Sequence, residues 1–160
     1  CYQNLSKFRG LPHRLEYVQE IKGRKFYNDS IATTPESTLV AMESFDAPLI
    51  LITGGYDKGL PLQSVVEGIL KKVEYVVLIG ETGSRMADML NRTQTEMEIE
   101  GRSIQFFNAG QLETAVQRAW EKSRPGDVVL LSPASASYDQ FDNFQQRGDT
   151  FRELVQSLSV

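Results

Sequence analysis

Residues 49–55 read LILITGG, and this stretch decides the fold. It is an apolar run of strand length that ends in two glycines. Because such a strand has no polar face, other elements must cover both of its sides, which is typical of a central strand in a parallel sheet flanked by helices. Residues 75–79 and 127–131 are predicted to be further buried strands, and 103–107 another strand.

Helical patterns separate these strands. Pro35 is predicted to begin a helix that runs to about residue 45, because proline is tolerated in the first turn. Thr33 or Thr34 would be its N-cap, and Thr33 would form a capping box with Glu36. Asn108 and Gln111 have the same spacing before a helix that ends near residue 122. The other predicted helices cover residues 61–72, 84–91 and 145–158.

Residues 15–21 and 24–27 flank a tight turn at Lys22 and Gly23, which predicts a β-hairpin at a sheet edge. The order is then a hairpin followed by alternating helices and strands. This alternation indicates an α/β fold, a Rossmann-like doubly wound sheet of about six mostly parallel strands.

Composition and charge exclude several classes of partner and catalytic site. The 160 residues suit one domain, and the net charge of −4 without a basic run argues against nucleic acid or a membrane as partner. The single cysteine, Cys1, and the absence of a signal peptide favour the cytoplasm. One histidine, His13, makes a zinc site or a Ser-His-Asp triad within the chain implausible. A start at Cys1 rather than Met suggests a domain excised from a larger enzyme.

The unusual loops follow the carboxyl ends of the predicted strands, where doubly wound sheets bind ligands. They span residues 28–34, 54–59, 80–85 and 132–138. Their glycines and hydroxyls, with Lys58, Thr33 and Ser137, suit a carboxylate or a phosphate. Each feature also has an ordinary explanation: turn glycines, a solvated lysine, or Asp29 capping a turn. No P-loop spacing occurs, so an ATP triphosphate would need another domain.

Residues 10–16, GLPHRLE, precede the hairpin. Arg14 could pair with Glu16 on the strand surface, which spacing favours, or it could reach an anion elsewhere in the parent enzyme. His13 is expected to be structural, since no acid or nucleophile partner is fixed beside it.

Four motifs in this order resemble the C-terminal domain of the Mur ligases, and the likeness covers nearly the whole chain. They are GLPHRLE at 10–16, NDSIAT at 28–33, GGYDKG at 54–59 and SPASASYDQFDNFQQRG at 132–148. The resemblance implies a three-domain, ATP-dependent ligase of peptidoglycan synthesis. An N-terminal domain would bind the UDP sugar, a central domain would hold ATP and Mg²⁺, and this domain would bring the amino acid. The D-glutamate-adding members, which use UDP-MurNAc-L-alanine, are the most similar.

The same resemblance implies roles for individual residues. Thr33 and Lys58 would hold the α-carboxylate of D-glutamate. Ser137, the Tyr138 backbone and Phe144 would surround its side-chain carboxylate. Arg14 and Asp29 would face the nucleotide across the domain cleft, and the chain alone, a monomer, would be inert.

Two departures qualify this expectation. Many relatives have lysine where Ile31 stands, and the Asp-Asn-Pro-Arg motif of the diaminopimelate-adding members is missing. Another Mur-type or folylpolyglutamate-type ligase, or a non-catalytic small-molecule-binding module, are the alternatives.

Overall fold

The computed structural model describes residues 11–97 and 103–158, so Cys1 and Gly10 lie outside the described residues. The strands are β1 (Glu16–Ile21), β2 (Arg24–Asn28), β3 (Leu49–Gly54), β4 (Tyr75–Ile79), β5 (Gln105–Gly110) and β6 (Val128–Leu131). The helices are α1 (Pro35–Glu43), α2 (Gln63–Lys72), α3 (Gly80–Met97), α4 (Leu112–Lys122) and α5 (Phe144–Ser157).

The described residues form one six-stranded sheet in the order β1-β2-β6-β3-β4-β5. Only the β1–β2 hairpin is antiparallel, and the other four pairings are parallel. The predicted α/β fold, with a mostly parallel sheet and an N-terminal hairpin at its edge, is therefore confirmed.

Alternate residues of each central strand enter two separate cores. Leu49, Leu51 and their neighbours pack against α1, α2 and α3 on one face, which we call the α1 face. Ile50 and Ile52 pack against α4 and α5 on the opposite face, which we call the α5 face. This two-sided burial is what the uninterrupted apolar run of β3 required.

Three local predictions need correction. Helix α3 begins at Gly80, directly after β4, so residues 80–85 are its first turns and not a loop. Thr34 caps α1 by accepting a hydrogen bond from the Ser37 amide, so the Thr33–Glu36 capping box does not form.

The third correction concerns the approach to α4. Asn108 lies within β5, and the N-cap is Gln111, whose side chain makes no capping bond. The strand is thus longer than its apolar residues indicated, since edge-strand pairing with β4 continues to Gly110.

Among the residues that the structure describes, no helix is long and apolar enough to span a bilayer.

Candidate functional site

Strands β3 and β6 are neighbours in the sheet, but the helices that follow them pack on opposite faces. The chain leaving β3 enters α2 on the α1 face, whereas the chain leaving β6 enters α5 on the α5 face. Two neighbouring strands with diverging connections open a crevice at their carboxyl ends, which is where open α/β sheets bind ligands.

The connection after β6 forms one wall of this crevice. Residues 132–137, which read SPASAS, are all buried. The Gly54 amide donates to the Pro133 carbonyl at 2.8 Å, and the Tyr56 amide donates to the Ala136 carbonyl at 2.9 Å. Ser135 Oγ lies 2.9 Å from Thr82 Oγ1. The wall is therefore tied to the loop after β3 and to α3.

Arg147, on α5, joins this wall to the loop after β2. Its side chain is buried, with 1% of the residue exposed. The guanidinium donates to the carbonyls of Ser135 and Ala136, each at 3.0 Å, and to Ser30 Oγ and the Ser30 carbonyl at 3.0 and 2.9 Å. Burial lowers the pKa of Arg147 to about 10, and the nearby Asp139 carboxylate opposes that shift. The buried cation thus fixes two loops that are distant in sequence.

Ser137, Tyr138 and Phe144, which are expected around the side-chain carboxylate of an amino-acid ligand, lie on or beside this wall. Ser137 is buried, and its hydroxyl has no hydrogen-bond partner within residues 11–97 and 103–158. Tyr138 is 62% exposed and its ring meets Tyr56 edge-on at 6.0 Å between centroids. The Phe144 carbonyl accepts from Ser30 Oγ at 2.8 Å.

Lys58 lies in the exposed loop after β3, with its Nζ 5.9 Å from the centroid of the Tyr138 ring. In the described part of the chain it pairs with no carboxylate. Thr33 is half-buried beside the N-cap of α1, and its hydroxyl bonds to none of the described residues. The structure thus brings Lys58 to Tyr138, and it links Thr33's loop to them through Ser30 and Arg147.

Arg14 and Asp29 line a different cavity, of about 340 Å³, together with Ile31 and α1 residues. Asp29 Oδ1 accepts from the Leu15 amide at 3.1 Å and Oδ2 accepts from Ser132 Oγ at 2.9 Å. Burial raises the pKa of the Asp29 carboxyl, although these hydrogen bonds and Arg14 oppose the shift. A cation and a carboxyl group therefore face the same cavity.

The expected surface pair between Arg14 and Glu16 is wrong. Glu16 instead accepts hydrogen bonds from Arg152, at 2.9 Å from its Nη2, and from the His13 amide at 2.9 Å. Because Glu16 is bonded to Arg152, which lies 136 residues further along the chain, it does not pair with Arg14, and Arg14 is exposed. His13 is buried, with Nδ1 3.1 Å from Asn28 Nδ2. Its Nε2 lies 3.7 Å from Asp149 Oδ1, so an acid does stand beside it, contrary to the sequence-based expectation.

The sequence predicts that residues 80–85 help to bind an anion, but a carboxylate of the chain itself contacts the first turn of α3. Asp139 Oδ2 accepts from the Glu81 amide at 3.3 Å. Burial raises the pKa of Asp139, and the Glu81 amide and Arg147 oppose the shift. A side chain at Gly80 would collide with Asp139, since its Cβ would lie 2.2 Å from Oδ2. The Glu81 amide is therefore engaged within the chain, as is the Thr82 amide, which donates to the Gly55 carbonyl at 2.9 Å.

The sequence did not reveal three residues whose side chains hold the site loops in place, namely Arg147, Arg85 and Asp139. Arginine is rarely buried, and nothing near Arg147 in sequence signals its partners. The motif at 132–148 did contain Arg147 and Asp139, but without roles. Arg85 was placed in a loop, whereas it projects from α3.

Other parts of the molecule do not contribute to this site. A cavity of about 460 Å³ lies between α4, α5 and β5, and none of the predicted site residues lines it. Within the described residues, no group of three or more His, Cys, Asp or Glu side chains could hold a metal ion.

Comparisons with known proteins agree with the fold and the motifs. Residues 13–135 match the family described as Mur ligase, glutamate ligase domain. UDP-N-acetylmuramoylalanine–D-glutamate ligases from Acetivibrio thermocellus and Ruminiclostridium cellulolyticum are 46% and 41% identical over 153 residues. Each alignment covers 96% of this chain and 33% of the relative, so the chain spans about a third of their length.

Solved structures give the same architecture at much lower identity. A UDP-N-acetylmuramoyl-L-alanyl-D-glutamate–2,6-diaminopimelate ligase superposes with a TM-score of 0.61 at 13% identity, covering 98% of this chain and 34% of the other. Escherichia coli FolC in complex with ADP gives 0.60 at 15% identity, covering 94% and 33%. At such identities the likeness concerns the fold alone.

Proposed function

This chain belongs to the Mur ligase family, and from that membership we propose that it is the C-terminal, amino-acid-binding domain of a ligase that adds D-glutamate to UDP-N-acetylmuramoyl-L-alanine. The observation that carries the proposal is the 46% identity, over 96% of the chain, to a ligase named for that reaction. The structural neighbours include both Mur-type and folylpolyglutamate-type enzymes, so the fold does not separate the two.

In the proposed reaction, ATP phosphorylates the carboxylate of the UDP-linked L-alanine. The amine of D-glutamate then attacks the acyl phosphate, and the tetrahedral intermediate releases phosphate to leave an amide. The contribution of this domain is to hold the amino acid so that its amine faces the acyl phosphate. Catalysis would therefore depend on positioning and on stabilising charge.

We assign the α-carboxylate of D-glutamate to Lys58 and Thr33. The exposed Lys58 ammonium without a carboxylate partner, and the unbonded Thr33 hydroxyl, are both available to an anionic ligand. A charged donor paired with a hydroxyl suits a carboxylate, because hydrogen bonds to ionised groups are stronger than neutral ones.

We assign the side-chain carboxylate to Ser137, the Tyr138 backbone and Phe144. The Ser137 hydroxyl supports this, because it makes no hydrogen bond to the described residues and can therefore donate one to a ligand. Arg147 fixes the backbone that precedes Ser137 through the Ser135 and Ala136 carbonyls.

We assign Arg14 and Asp29 to the nucleotide side of the cleft, Arg14 near the phosphates. Their shared cavity of about 340 Å³ offers a cation for phosphate oxygens and a carboxyl group for a ribose hydroxyl. ATP would supply the phosphoryl group that activates the acceptor carboxylate. The triphosphate and Mg²⁺ would be held mainly by a central domain, and the UDP sugar by an N-terminal domain, both beyond this chain.

Ile31 removes one possible contact with the substrates. It lines the cavity of Arg14 and Asp29 as an apolar side chain, so any cationic contact made there by relatives with lysine is absent. We place the whole enzyme in the cytoplasm as a monomer.

The test is phosphate release by the full-length enzyme with UDP-N-acetylmuramoyl-L-alanine and a panel of amino acids. We expect D-glutamate to be the preferred acceptor, and the 160-residue chain alone to release none. Equal or better activity with another amino acid would overturn the assignment to D-glutamate and favour a different Mur-type or folylpolyglutamate-type ligase. A gene without a P-loop upstream of this domain would instead favour a stand-alone binding module.

A further inference from the structure

The loop after β3 that carries Lys58 has no regular structure between Gly54 and α2, yet one side chain of α3 holds it at two points. Arg85 Nη1 lies 2.9 Å from both carboxylate oxygens of Asp57. Its Nη2 donates a hydrogen bond to the Leu60 carbonyl. These two contacts flank Lys58, so Arg85 fixes the backbone on either side of the proposed carboxylate-binding residue.

Two further bonds complete this arrangement. Asp57 Oδ1 accepts from the Gly59 amide at 2.8 Å, which closes a tight turn around Lys58. The Asp57 amide donates to Glu81 Oε2 at 3.1 Å, one helical turn before Arg85. The Gly59 φ of 72° belongs to the same turn. Helix α3 therefore serves as the rigid support of the loop.

The ion pair between Arg85 and Asp57 also affects the charge next to Lys58. Asp57 precedes Lys58 directly, and an unpaired carboxylate there would compete for the lysine ammonium and repel a substrate carboxylate. Because Arg85 engages both oxygens of Asp57, Lys58 remains without a carboxylate partner in the described chain. The lysine is directed instead towards the Tyr138 ring, 5.9 Å away.

From these contacts we infer that Arg85, with Asp57, is a positioning residue for amino-acid binding: it holds the loop that presents Lys58 and keeps Lys58 free for the incoming carboxylate. This inference rests on the proposed function of Lys58. Arg85 is then expected to affect amino-acid binding only through Lys58.

The experiment measures KM for the amino acid, ATP and the UDP-sugar substrate in the full-length enzyme. We expect Arg85→Gln to raise KM for D-glutamate about tenfold and to leave the other two KM values unchanged. Arg85→Lys should recover only part of the loss, because an ammonium keeps the charge but cannot bond the carboxylate and the carbonyl in a planar fork.

A double-mutant cycle separates positioning from simple destabilisation. In a Lys58→Ala background, Arg85→Gln should change KM for D-glutamate by less than about twofold, because its target is already gone. Arg118→Gln is the matched control, since the side-chain exposures of Arg85 and Arg118 are 35% and 34%, and Arg118 pairs with Glu121 far from the crevice. The control should leave all three KM values unchanged.

The outcomes distinguish the two proposals. If Lys58→Ala does not raise KM for D-glutamate, the proposed binding site fails. If Lys58→Ala raises it but Arg85→Gln does not, or if the two effects multiply, only the positioning role of Arg85 is overturned. A rise in all three KM values with Arg85→Gln also overturns it, because a general loss of structure would then explain the effect.

Discussion

The two loops that meet at the carboxyl ends of β3 and β6 are held in opposite ways. The connection after β6 is buried throughout residues 132–137 and is bonded by Arg147, whose guanidinium is itself inaccessible. The loop after β3 is exposed at Lys58 and Gly59 and is fixed by a half-exposed ion pair between Arg85 and Asp57. One wall of the crevice is therefore part of the core, whereas the other depends on surface contacts.

Because of this difference, substitutions in the buried wall should affect the stability of the fold, whereas substitutions in the exposed loop should affect ligand binding. Breaking the contacts of the buried wall leaves polar groups without water or partners, so the fold should suffer. Changes in the exposed loop leave groups that water can solvate, so binding should suffer while the fold persists. Variants in the two loops should therefore differ in whether they change the free energy of unfolding or the KM for the amino acid.

Arg147→Met should lower the free energy of unfolding by about 3–5 kcal/mol, because it strands buried acceptors on Ser30, Ser135 and Ala136. Urea denaturation followed by circular dichroism measures this. Arg147→Lys should be nearly as damaging, since one ammonium cannot reach both loops. A loss below about 1 kcal/mol would show that the wall does not need the guanidinium.

Gly80→Ala should cost about 2–4 kcal/mol, because Gly80 has a φ of 66° and the new Cβ would lie 2.2 Å from Asp139 Oδ2 and 2.7 Å from the Gly55 Cα. Gly59→Ala is the matched control in the exposed loop. Its φ is 72°, but nothing lies within 4 Å of the new Cβ, so we expect only about 1 kcal/mol. Equal losses of unfolding free energy would remove the distinction between the two loops.

Lys58→Ala should leave the free energy of unfolding within about 0.5 kcal/mol of the wild type, as for other exposed side chains. In the full-length enzyme it should raise KM for D-glutamate at least about tenfold, through loss of a charged hydrogen bond. Steady-state phosphate release checks the second effect. An unchanged KM would make Lys58 an ordinary solvated lysine.

Asp29→Asn should change how stability depends on pH. Burial raises the pKa of Asp29 above its ordinary value of 3.8, so the folded chain binds this proton more tightly than the unfolded chain does. Its stabilising contribution is thus fully present below the ordinary pKa and is lost as pH rises through the raised one.

Asparagine does not titrate, so the variant should lose less unfolding free energy than the wild type as pH rises above the ordinary aspartate pKa of 3.8. Its amide can keep the network, accepting from Leu15 and donating to Ser132, which can still bond Thr38. Thermal unfolding across this pH range is the measurement, and parallel curves for the two proteins would contradict the raised pKa.

Much of the fold could be predicted because its signals are local. The apolar runs of β3 and β4, the proline at the start of α1 and the hairpin turn at Lys22 and Gly23 each involve residues close in sequence. Periodicity and turn chemistry act over a few residues, so they can be recognised without the tertiary structure. The prediction failed at residues 80–85, because Gly80 takes a positive φ that lets α3 follow β4 without a loop.

Local sequence patterns suffice to predict the parallel sheet, the edge at which the glycine- and hydroxyl-rich loops meet, and the motifs that mark the family. Tertiary structure alone decided which charged groups are free. Glu16 pairs with Arg152, Asp57 pairs with Arg85, and Asp139 accepts from the first turn of α3, each across at least 28 residues. Lys58 and Arg14 form no salt bridge within the described residues. The physical reason is that an ion pair depends on distance in space, and only the crossover connections of the sheet set that distance.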